Sequence, residues 1–412
     1  MIKSLIKRKT LTANIGIALS LVGVPLGMHF NFIFPFFEWS PIIMFFSLIF
    51  IISYSSLINL KLPSFRIYFL FILFFQFMML GYGVYSDNLD NTYLSYHLYV
   101  IFLIISLSTL PKQYSFNNLI STVFYVSIVS SVLGAFFSWN GLVTSEIAYQ
   151  LRQINQNYPL EPFTVAYGGL INLVAAIFLL QKKDKFKIIY LIFVLVDIYI
   201  LFASGKRTPL FLGFFIVAIV FYKKTSLTYN DLLKAIKILG LIAIVILTVY
   251  FIFDIIKNEV NKFSYDLFSG ILNILGFQEI QDTSGSAIIR YENRLWMYDY
   301  IDVNFNLFNY IFGAGYMTRW LDNPILQAYL DMGLLGIIFY TGIVVVYPLI
   351  KLIKTNNILT LFIVSFCMYN VLSAISSGNP YQYFKYVPII LLIFVSNSER
   401  ITSYHTLRLY KN

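Results

Sequence analysis

The chain has 412 residues, 59% of them hydrophobic and 12% charged, with a mean hydropathy of +0.76. Soluble domains carry about 25% charged residues, so this composition excludes a water-soluble fold, whose interior could not hold so much apolar surface. Its formal charge of +10 comes with one cysteine, Cys367, and three histidines, His29, His97 and His405, far apart in sequence. That excludes an internal disulfide framework and offers no metal-ligand spacing, so neither a metal nor any other cofactor is expected.

A membrane-spanning helix needs about 20 mainly apolar residues. Runs of that kind fall at 11–28, 41–59, 67–84, 93–110, 118–138, 163–180, 188–203, 209–222, 236–255, 325–349, 358–376 and 380–396. They predict an all-α polytopic integral membrane protein with about twelve transmembrane helices, packed as a single transmembrane domain over 1–412. The first run follows Met1-Ile2-Lys3-Ser4-Leu5-Ile6-Lys7-Arg8-Lys9. It is long and lacks a small-x-small cleavage site, which predicts a retained signal anchor.

With the N-terminus in the cytoplasm, the cytoplasmic segments collect most of the 29 basic residues, most clearly in Lys182-Lys183-Asp184-Lys185-Phe186-Lys187. Of the acidic residues, Asp184, Asp231 and Glu399 alone fall inside. The charge is therefore a topology signal and a contact for anionic membrane lipids. A nucleic-acid partner is not expected, because the basic residues sit in short dispersed loops. Both termini come out cytoplasmic. The outer face carries a smaller loop over 139–162 and a large loop over 256–323 that contains short helices.

Several polar constellations break the apolar pattern. Asp87-Asn88-Leu89-Asp90 reads as a solvated turn. Arg152 is the lone basic residue of Gln150-Leu151-Arg152-Gln153-Ile154-Asn155-Gln156-Asn157-Tyr158, where amides could bind sugar, or it is an ordinary loop arginine. Asp197 lies mid-span and reads as the buried partner of a lysine or arginine, or else as a site residue.

Ser204-Gly205-Lys206-Arg207-Thr208-Pro209 joins two short apolar runs, which should draw the turn below the membrane surface. Lys206 and Arg207 either snorkel to headgroups or form a recessed anion site. In Arg290-Tyr291-Glu292-Asn293-Arg294-Leu295-Trp296 the two arginines are four apart, sharing a helix face on which Glu292 does not lie. Paired guanidiniums suit a pyrophosphate; the alternative is pairing with Glu279, Asp282, Asp299 or Asp302. Asp322-Asn323-Pro324 opens a helix that either Asp322 or Asn323 can cap. Asp331, two turns inside it, needs a partner or a task.

In chain order, a span ends in Ser-Gly-x-Arg-Thr, and a large loop follows with Arg-Leu-x-x-Trp. Phe312-Gly313-Ala314-Gly315 comes next. The series closes on Asp322-Asn323-x-x-Leu326-Gln327, five further residues and Gly333-Leu334-Leu335-Gly336. This order resembles Wzy-type polysaccharide polymerases, which are related to the O-antigen ligases. The resemblance implies a fold similar to C-type glycosyltransferases, without a metal, in the bacterial cytoplasmic membrane. It implies that a glycan held on undecaprenyl pyrophosphate is transferred to a second lipid-linked oligosaccharide at the outer face. Partners would be those donor and acceptor lipids, with a chain-length regulator and a flippase as further candidates.

The positions matching the family's pyrophosphate-holding arginines are Arg207 and Arg294, with Arg152 and Arg290 as further candidates. Lys206, Asn323 and Asp331 complete the expected substrate-binding set. Related ligases carry His-Asn where this chain has Asp322-Asn323, which favours polymerase over ligase and leaves Asp322 as the nearest base. Two alternatives stand beside it, a lipid-linked oligosaccharide flippase or transporter and an O-antigen-ligase-like glycan transferase. A glycosyltransferase with its catalytic acids in the first outer loop would have only Glu38 to use there.

Overall fold

The computed structural model describes residues 2–54, 67–110, 114, 116, 118–143, 160–181, 185–206, 208, 209, 212, 213, 215, 216, 261, 265, 268, 286–355, 357–375 and 377–409. Among these residues every regular element is helical. The helices are α1 (Ile2–Ile33), α2 (Trp39–Ile52), α3 (Ile67–Tyr85), α4 (Asn91–Ser108), α5 (Leu119–Trp139), α6 (Pro162–Leu180) and α7 (Lys187–Ala203). Then come α8 (Ser286–Asn304), the short α9 (Leu307–Phe312) and α10 (Pro324–Thr341). A π-helical turn (Gly342–Val346) leads into α11 (Tyr347–Lys354), followed by α12 (Ile358–Ser373) and α13 (Tyr383–Leu409).

Helix starts follow from short polar side chains that satisfy otherwise unpaired amides. Asp90 accepts from Tyr93 N at 2.8 Å to open α4, and Asn357 accepts from Leu359 N and Thr360 N to open α12. Pro162 occupies the first turn of α6, where a missing N–H costs nothing.

Among the described residues six segments are long and apolar enough to cross a membrane: Thr10–Ile33, Tyr68–Tyr85, Asn91–Ser108, Leu119–Trp139, Pro162–Leu180 and the continuous Pro324–Lys354. Trp39–Ile52, Ile358–Ser373 and Tyr383–Ser396 are shorter apolar helices. By the length and composition of these helices the chain is a multi-pass membrane protein. The apolar run expected at 236–255 and most of that at 209–222 lie outside the described residues.

Packing agrees with a lipid surround. α6 is buried without a break from Thr164 to Leu179, as expected of a helix that is apolar nearly all round. α1 lies along α2 and α5. At Gly16 a Cβ would sit 2.6 Å from the Ser47 carbonyl oxygen, so the absent side chain sets the α1–α2 separation. Large apolar side chains point outward, among them Phe45, Phe77, Phe102, Val132 and Leu195. In water that surface would cost about 25 cal/mol per Å²; against acyl chains it costs nothing.

α10 is not one smooth helix. Gly333 has φ 61° and ψ −152°, which breaks the helical ladder. Leu330 O and Asp331 O then accept from Ala314 N at 2.8 Å and Gly315 N at 3.1 Å in the loop after α9. Broken backbone in a membrane protein persists where other protein groups satisfy it, and here a loop does so. A Cβ on Gly333 would lie 2.5 Å from the Ile311 carbonyl carbon. Gly333→Ala should therefore destabilise the protein by about 3 kcal/mol, from a backbone conformation only glycine adopts easily and from the clash. Thermal unfolding in detergent reads the loss, and an unchanged melting temperature would show that the break relaxes freely.

Candidate functional site

The polar centre of the described residues forms where the 313–323 loop, the start of α10 and the turn after α12 meet. Its buried post is Asp331, fully enclosed on α10. The carboxylate accepts from Met317 N (3.1 Å), Thr318 N (3.1 Å), Gln327 Nε2 (2.7 Å) and Tyr381 OH (2.5 Å). Gln327 also accepts from Leu321 N at 2.8 Å. Asp331 is thus the buried clamp of the loop segment that follows Phe-Gly-x-Gly. Four protein donors occupy the carboxylate of this expected substrate-binding residue.

A second layer, joined to the first through Tyr381 against Tyr316, also holds the loop. Tyr316 is buried; its OH meets His97 Nε2 at 3.0 Å, and His97 Nδ1 meets Gln76 Oε1 at 2.7 Å. Burial, followed by Tyr93, Asp90 and Asp331, pushes the Tyr316 phenol above its ordinary value, so it stays protonated. Asn88 Nδ2 donates to Tyr316 O at 3.0 Å. Asp87, Asn88 and Asp90 are exposed, as a solvated turn requires, and Asn88 also ties the turn to this loop.

Asp322 lies on the more open side. Its backbone is left-handed (φ 53°), which turns the side chain away from capping α10. Asn323 takes the cap, accepting from Leu326 N at 3.2 Å, and its Nδ2 donates to Ile375 O at 3.2 Å. Asp322 Oδ2 accepts from Arg290 Nε at 2.7 Å, with the arginine and aspartate side chains part-exposed at 34% and 27%. Asp322 Oδ1 accepts from Gly378 N at 2.6 Å. Two partners leave lone-pair positions open on this carboxylate, so it can still accept a proton or orient a hydroxyl. Arg290 thus pairs with an acid of the same 256–323 loop, 32 residues on, because α8 lays its Arg290 face against the 313–323 segment; Glu279 and Asp282 lie outside the described residues.

Arg290 and Arg294 share that face of α8, with Met297 and Ile301 buried below them and Glu292 exposed off it. Arg294 is half-buried one turn from Arg290. Arg319 stacks over the Trp296 ring at 4.5 Å, off the face that carries Arg290 and Arg294. Lys206 is half-buried after the left-handed Gly205. Arg207 and Arg152 lie outside the described residues, so their expected convergence with Arg294 is not described.

Reading the sequence missed Lys385, which is 1% exposed and donates to Ser377 O at 3.2 Å. A lysine inside an apolar run was the available signal. Gly378, Tyr381 and His97 were missed too, because their importance lies in contacts across the fold. Asp197 is buried and accepts from the Ser131 hydroxyl. Among the described residues this serine, rather than a lysine or arginine, is its partner. Among the described residues no three His, Cys, Asp or Glu side chains converge as metal ligands. No protein-family model, curated protein or solved structure matches this chain.

Proposed function

We propose that the protein is a polymerase of the Wzy type, joining undecaprenyl-pyrophosphate-linked oligosaccharide units into a bacterial surface polysaccharide. The observation that carries the reading is a carboxylate with free acceptor positions, Asp322, set directly against a two-arginine helix face. The reaction needs those two functions. The acceptor sugar hydroxyl oxygen bonds to the donor's anomeric carbon as the bond from that carbon to the pyrophosphate oxygen breaks. The electron pair leaves with the lipid pyrophosphate, and the hydroxyl proton passes to Asp322. Arg290 and Arg294 neutralise charge growing on the leaving group, which is strongest where water is excluded. Arg207 is assigned the same role from the sequence. Placement at the outer face of the cytoplasmic membrane follows from the loop charges.

Arg294→Ala tests this in cells. Polymer should disappear while single lipid-linked units build up on the outer leaflet, where added lectin reaches them. Wild-type chain lengths would overturn the role given to Arg294. A second reading, a lipid-linked oligosaccharide transporter, draws on Asp197 and His29. Both are enclosed within the α1, α5 and α7 helices, and Asp197 Oδ2 and His29 Nε2 lack a hydrogen-bond partner among the described residues. A transporter variant would strand the units on the cytoplasmic leaflet instead.

A further inference from the structure

We infer that Lys385 is a positioning residue for Asp322, acting through the one peptide unit that joins Ser377 to Gly378. Its consequence for turnover rests on the polymerase reading; the contact chain does not.

Lys385 stands three residues into α13 with its ammonium buried. A buried ammonium is costly unless it is partnered, and the described partner is the Ser377 carbonyl oxygen at 3.2 Å. The same planar peptide carries the Gly378 N–H on its opposite edge, and that N–H donates to Asp322 Oδ1 at 2.6 Å. The order is therefore ammonium, carbonyl, amide, carboxylate, and then the Arg290 guanidinium on the other carboxylate oxygen. A cation on the carbonyl draws electron density from the amide and makes its N–H a stronger donor. Asp322 is the acid whose charge acts on Lys385.

The turn is built for this arrangement. Gly378 has φ 81°, and a Cβ there would lie 2.5 Å from Gln382 Oε1 and 3.4 Å from Lys385 Nζ. Asn323 Nδ2 on Ile375 O and Ile325 N on Ala374 O tie the same turn to the start of α10. Lys385 thus fixes the peptide that fixes one oxygen of Asp322, leaving the remaining lone pairs aimed for an acceptor hydroxyl.

The test uses the full-length protein in detergent, labelled with ¹⁵N-glycine, and the variants Lys385→Met and Lys385→Arg. In wild type the Gly378 amide proton should resonate well downfield, and Lys385→Met should move it upfield. Lys385→Arg, which keeps a charged donor, should restore most of the shift. With synthetic lipid-linked units, chain extension should slow about tenfold in Lys385→Met, the loss of one charge-assisted contact, and recover in Lys385→Arg. A Gly378 resonance unmoved by Lys385→Met overturns the relay. An unchanged rate overturns its role in turnover. Should Lys385→Met fail to fold, Asp322→Asn reads the chain from its other end. It should move both the Gly378 amide and, in protein labelled with ¹⁵N-lysine, the Lys385 Nζ resonance, and a static lysine signal overturns the proposal. If the Gly378 signal responds to Lys385→Met as expected but the wild-type protein makes no polymer, the polymerase reading fails and the contact chain stands.

Discussion

Replacing Asp331 by alanine is expected to destabilise the protein by about 4 kcal/mol, more than the loss of any other side chain at the site. The variant strands two backbone amides, a tyrosine hydroxyl and a glutamine amide around an empty space. Stranded buried donors cost about 1–3 kcal/mol each, and they do not simply add. The damage should be local first. Met317 and Thr318 amides should lose protection from hydrogen exchange before the helices unfold, because the loop has its own clamp. Thermal unfolding with residue-resolved exchange measures both. A wild-type melting temperature with protected Met317 and Thr318 amides would remove Asp331 from the centre of the site's architecture.

Asp322→Asn is expected to act the other way, sparing the fold and removing turnover. The amide oxygen can still accept from Gly378 N–H, so the turn after α12 keeps its tie. The variant cannot take a proton from a sugar hydroxyl, and general-base catalysis contributes about 10²–10⁴-fold. Chain extension at saturating acceptor should therefore fall about a hundredfold or more, with the melting temperature kept. A wild-type rate in Asp322→Asn would place the base elsewhere. Loss of folding would make Asp322 a structural tie. The Arg294→Ala result then separates the two charges. The arginine variant should lose leaving-group stabilisation while its Asp322 remains able to accept a proton.

Much of the scaffold is legible in the sequence because apolar runs report helices directly. The runs at 67–84, 93–110 and 163–180 fall within one or two residues of α3, α4 and α6. The shared face of Arg290 and Arg294 is legible for the same reason, since helix periodicity places residues four apart together. A helix start at Pro324 is legible from chemistry, since a capping side chain and a first-turn proline stand together there.

What periodicity cannot give is what each helix meets. Asp322 and Asn323 are adjacent and are equivalent candidates for the cap by residue type. The left-handed backbone at Asp322 assigns the cap to Asn323 and frees Asp322 for Arg290. The break at Gly333 is hidden in a continuous apolar run, because the carbonyls it frees are satisfied by Ala314 and Gly315, earlier in the chain. Asp331 carries the right warning, an acid in an apolar helix, yet its task is to hold a loop. Lys385 carries the same warning, but its partner is a backbone carbonyl, which leaves no trace in residue type.

The most direct measurement joins purified protein to synthetic undecaprenyl-pyrophosphate-linked repeat units, with no metal added, and separates the products by size. The polymerase reading predicts a ladder of chains, each one repeat unit longer than the last, that vanishes with Arg294→Ala and with Asp322→Asn. Units recovered unchanged from the wild-type protein, while it remains folded, would contradict it.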